Sequence, residues 1–121
     1  LDRTEQPIAV GEVAGIKVPG APHWAIGVVR WVTVFEDGGM EFGLQYLAAM
    51  ARAVTVSAWG APSGMGLLLS GDGPTTLLTS PKAFSHLHEL EVEDRGDACL
   101  VAPGGVVEVT HRFELFTVKP R

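Results

Sequence analysis

Apolar residues along this chain gather in short blocks rich in valine, isoleucine and aromatic side chains, and Gly, Pro, Asp or Ser closes each block. That punctuation, with a period of two inside several blocks, predicts about eight β-strands. The first lies over residues 12–18, the second over 25–35 and the third over 40–47. Between the last two, "EDGG" (36–39) predicts a tight hairpin, with Asp37-Gly38 or Gly38-Gly39 supplying positive φ angles. "AAMARAV" (48–54) is too short for a stable helix, so one helical turn at most is expected before a strand over 53–59. "GAPSGMG" (60–66) reads as a flexible loop, 67–80 as a second hairpin, and "PKAFSHLH" (81–88) as a short helical turn opened by Pro81. Strands and turns follow in "ELEVEDRG" and "ACLVAPGG", and then one long strand over 106–118. In it Val107, Val109, Phe113 and Leu115 share a face with His111 and Thr117, opposite Glu108, Thr110, Arg112 and Glu114.

Composition agrees with that pattern. Fifteen glycines and eight prolines in 121 residues suit many short strands better than a few long helices. The expected fold class is all-β: a small antiparallel β-barrel with a second β-unit packed against it. A net charge of −5 and the lack of any Lys/Arg cluster exclude duplex nucleic acid and anionic membranes as partners. No apolar run reaches the roughly 18 residues of a membrane span. Cys99 is the single cysteine, inside "ACLVA", where a buried thiol acting as a small hydrophobe is expected; a reducing cytoplasm suits it. The opening Leu reads as a trimmed chain or a fragment.

Candidate chemistry is sparse. His86 and His88, with Glu89 and Glu91 beside them, form a weak alternative for a metal site, but a spacing of two aligns both imidazoles only in a strand, so no metal is expected. "GAPSGMG" lacks the Lys-Ser/Thr of a phosphate loop, and Ser63 lacks the frame of a nucleophile elbow. The carboxylates at 89, 91, 93 and 94 read as a solvated edge that discourages strand addition. With no recognisable catalytic constellation, the chain is read as not an enzyme. In "AIGVVRWVTVF", strict alternation puts Trp31 in the interior and Arg30 outside, in an ion pair with Glu41 of the hairpin partner. His23, Trp24 and Arg30 form the candidate rim for a partner or a guanine base.

Gly27-Val28-Val29-Arg30-Trp31 and Gly43-Leu44-Gln45-Tyr46-Leu47, with the strand "GEVAGIKV" ahead of them, resemble the later strands of PilZ domains over roughly residues 7–47. These are small bacterial β-barrels that bind the second messenger cyclic di-guanylate (cyclic di-GMP). The resemblance implies a PilZ-like portion over 1–57 and a second β-unit over 58–121, which leaves open whether the two share one core. The family's ligand motifs are R-x-x-x-R and [DN]-x-S-x-x-G. No arginine here is followed by another four residues on, and Asp2-Arg3-Thr4-Glu5-Gln6-Pro7 is the nearest echo of the second motif. The expectation is a degenerate PilZ-type regulatory module that recognises a protein, with no cofactor and no cyclic di-GMP bound by this chain alone. A strand edge offers a route to a homodimer. The alternatives are a cyclic di-GMP receptor whose arginines lie outside this chain, and a small metal-dependent enzyme.

Overall fold

The computed structural model describes residues 9–17, 19–71 and 73–121, and these are organised entirely by strands and turns. β1 (Val13–Ile16), β2 (Ala25–Val34) and β3 (Met40–Ala48) form an antiparallel sheet in the order β1-β2-β3. β4 (Met50–Ala58), β5 (Ala61–Ser70), β6 (Thr76–Thr79), β7 (Leu90–Asp94), β8 (Asp97–Val109) and β9 (Glu114–Pro120) close into a barrel in the order β4-β5-β6-β9-β8-β7. The chain passes from sheet to barrel at Ala49, so β4, all but its last residue inside the expected 1–57 portion, is a barrel strand.

Doubled leucines explain how the two units meet. In β5, β6 and β9 the registers Leu67↔Leu78 and Leu78↔Leu115 put these residues on one face, and Leu77↔Phe116 on the other. Leu77 and Phe116 fill the barrel interior with Val54, Val56, Leu90, Val92 and Val101. Leu69 and Leu115 face outward and are buried with Phe113 against Ile26, Val28 and Ala48 of the sheet; Leu67 and Leu78 pack at the margin. A wall covered on both sides needs apolar residues at consecutive positions, and that is why these strands read as runs instead of alternating.

Turn chemistry matches the sequence where the loops are short. Gly38 adopts φ +90°, Gly38 N–H donates to Phe35 O, and Phe35 N–H donates to Gly39 O. The β2–β3 hairpin is therefore a tight turn closed by one glycine in the left-handed region. Arg95 and Gly96 both take positive φ in the two-residue β7–β8 turn.

Several expectations are corrected. Residues 60–66 are not a loop: β4 turns at Trp59-Gly60, where Gly60 has φ +78°, and re-enters the barrel as β5. The glycines there serve packing. A Cβ at Gly66 would come within 3.1 Å of Val56 Cγ2, and one at Gly64 within 3.5 Å of the Phe84 ring. Neither 48–54 nor 81–88 is helical: the first belongs to β3 and β4, and the second is an irregular connection that inserts Phe84 into the barrel core. Glu114, buried at the start of β9, anchors that connection by accepting from Lys82 N–H (2.5 Å) and from Ser85 Oγ–H. The long strand over 106–118 is interrupted, because Thr110 Oγ1 accepts from the N–H groups of Arg112 and Phe113 and turns the chain from β8 into β9. "APGG" continues β8 through an irregularity between Pro103 and Val106. Cys99 is not buried as expected: it pairs with Val92 close to the tip of the β7–β8 hairpin and is exposed there.

Candidate functional site

Two register shifts interrupt the β2–β3 ladder, and one of them overturns the alternation argument. Val29 pairs with Leu44 and Trp31 pairs with Gly43, so Arg30 is an extra residue on β2. In such a bulge two consecutive residues oppose one partner and the bulged strand bends. Arg30 and Trp31 therefore both turn to the barrel side of the sheet, and Val29 and Val32 to its outer side.

Trp31 is consequently 48% exposed and is not the interior residue expected. Its indole lies across the backbone of Gly43, where a Cβ would collide with Nε1, Cε2 and Cδ1. Only glycine leaves that space, so Gly43 and Trp31 fit as a pair. Arg30 does not pair with Glu41. Its Nη1 and Nη2 donate to Glu108 Oε2 and Oε1 at 2.7 and 2.8 Å, and its Nε donates to Gln45 Oε1 at 2.6 Å. The bulge aims Arg30 at β8 of the barrel, 78 residues away in sequence. Hydrogen bonding to Arg30 holds the Glu108 carboxyl below its ordinary value, and hydrogen bonding to Glu108 raises Arg30 above its own.

The opposite face of the sheet is apolar. The registers place Ile16, Ala25, Gly27, Val29, Val32 and Val34 with Met40, Phe42, Leu44 and Tyr46 on this side. Toward β1 it is buried at Ala25 and Val29; toward β3 it is open, with Val34, Phe42, Leu44 and Tyr46 exposed.

The residues expected to share a rim occupy two places. His23 and Trp24 are exposed just ahead of β2; Trp24 packs on Gly15, and Lys17 Nζ lies 5.9 Å from its ring centroid. Arg30 is six positions on, roughly 20 Å along an extended strand. It gathers with Gln45, Glu108 and Trp31 instead. His86 and His88 are both exposed. Among the described residues no three His, Cys, Asp or Glu side chains converge as a metal site. Asp2–Pro7, the echo of a ligand motif, lies outside the described residues. Sequence reasoning missed Gln45, Gly43 and Glu108. Hairpin pairing points to the first two, whereas nothing local marks the third.

The fold and this surface define a small all-β module whose distinctive side chains sit on an exposed hairpin, not in an enclosed cleft. Residues 2–53 match the family model described as the middle PilZ domain of the cyclic-di-GMP receptor FimW. That match, under half of the chain, covers the three-stranded sheet and the first residues of β4, and over it the chain is PilZ-like. No curated protein and no solved structure matches the chain. Among the described residues no helix is long and apolar enough to cross a membrane.

Proposed function

We propose that this chain is a non-catalytic, PilZ-like regulatory module that works by recognising a protein and does not by itself hold cyclic di-GMP. The observation that carries this reading is the state of its arginines. Both arginines described within residues 2–53 are engaged by carboxylates, Arg30 by Glu108 and Arg52 by Asp94 at 3.1 Å. A cyclic dinucleotide needs guanidinium groups free to clamp phosphate and stack on guanine. The exposed Val34, Phe42, Leu44 and Tyr46 supply an apolar surface of the kind that protein interfaces use. A net charge of −5 supports a partner other than duplex nucleic acid, and a cytoplasmic setting goes with this reading.

Calorimetric titration with cyclic di-GMP is the test: no heat of binding is expected through the micromolar range. Micromolar or tighter binding that Arg30→Ala abolishes would overturn the reading. The family match favours one alternative, a cyclic di-GMP receptor whose arginine motif lies outside this chain. Tight binding by a version extended upstream, with none by the present chain, would establish it.

A further inference from the structure

The barrel closes its ring of strands, whereas the three-stranded sheet ends in two open edge strands, β1 and β3. β1 offers only Val13–Ile16, with Pro19 just beyond. β3 offers Met40–Ala48, and no described strand pairs with its outer side. Natural edge strands are usually blunted by Lys, Pro, short length or a bulge. Between Met40 and Tyr46 there is no Lys and no Pro, and the register shift on β3 comes only at Leu47.

We propose that the outer edge of β3 pairs with β3 of a second copy of this chain, antiparallel about a two-fold axis at Gly43. A two-fold axis joining antiparallel strands stands perpendicular to the sheet, so each copy keeps its apolar side on the same face. Centred on Gly43, the register sets Phe42 opposite Leu44 of the second copy and Met40 opposite Tyr46, all on the exposed apolar face. On the barrel side it sets Glu41 opposite Gln45. Gln45 Oε1 already accepts from Arg30 Nε, which leaves the amide NH₂ to donate outward. Glu41 of the second copy is the acceptor this register delivers, twice per dimer by symmetry, beside the positive charge of Arg30. At the axis the two glycines face each other, each covered by its own Trp31. Apolar residues meet apolar ones on one face, and an acceptor meets a donor on the other.

Sedimentation velocity over a micromolar concentration series, with circular dichroism as a folding control, tests the pairing. The expected result is a reversible monomer–dimer equilibrium. Gln45→Glu keeps an acceptor for Arg30 but sets two carboxylates against the Glu41 pair, and should weaken the dimer by about tenfold. Adding Glu41→Lys to that variant should restore it. Phe42→Lys, on the opposite exposed face, should weaken association in the same way and provides a second reading if Gln45→Glu fails to fold. A chain that sediments as a monomer throughout overturns the proposal. So does a dimer indifferent to Gln45→Glu, or one that Glu41→Lys fails to restore.

Discussion

Arg30 and Glu108 join the sheet to the barrel, and a double-mutant cycle over Arg30→Ala, Glu108→Ala and both together measures what that join contributes. The two parallel hydrogen bonds are 2.7 and 2.8 Å long, which is charge-assisted geometry. Shielded from water, each such bond would contribute about 1.5–3 kcal/mol, whereas an exposed ion pair gives about 0.2–1 kcal/mol. The Arg30 side chain is 35% exposed and that of Glu108 25%, so solvent screening decides and the lower range applies. Bidentate geometry places the coupling near the top of that range, at about 1 kcal/mol. Arg30→Ala alone also leaves Gln45 without its donor, and should cost about 1.5 kcal/mol in all. Urea unfolding reads these values, since a change of 1 kcal/mol moves the midpoint by roughly 0.5 M for a small domain. The pH dependence has a fixed sign. The Glu108 carboxyl lies below its ordinary 4.5 in the folded protein, so the pair contributes fully above that value. The contribution is lost as pH falls through the lowered native value. Coupling below about 0.3 kcal/mol at neutral pH, or coupling that persists in acid, would refute the argument.

Three further outcomes follow from the packing. Trp31→Ala should cost about 2 kcal/mol, less than the 3–5 kcal/mol expected for fully buried Phe116→Ala, because nearly half of the indole is already in water. Gly43→Ala should destabilise the native chain but not the Trp31→Ala variant, and thermal melts of the four combinations would expose a cost that is independent of Trp31. Glu114→Ala should cost about 2–3 kcal/mol, since it strands the Lys82 N–H and the Ser85 hydroxyl in a part-buried site. Its signature is faster amide exchange across residues 80–89, and unchanged protection there would contradict the anchoring role.

The all-β class, the β2–β3 hairpin and the tips at Gly38 and at Arg95-Gly96 were legible in the sequence. Each depends on a period of two or on a residue able to take positive φ, and both are local properties. The segments misread from sequence were those whose conformation is set by distant contacts. "GAPSGMG" becomes strand because its glycines make room for Val56, Leu77 and Phe84 inside a closed barrel, and nothing in seven consecutive residues reports that ring. The doubled leucines answer to a contact distant in sequence, the sheet that covers the barrel wall. Arg30 shows the limit most sharply. Strict alternation predicts that Trp31 is buried and Arg30 exposed, and one inserted residue turns both to the same face. Whether a strand bulges, and which residue becomes the extra one, is decided by what the bent strand then meets. Here that is Gly43 one strand away, which leaves space for an indole, and Glu108, 78 positions along the chain, which receives a guanidinium. Local chemistry determined that this chain forms strands and where they turn; long-range packing decided which of their side chains meet.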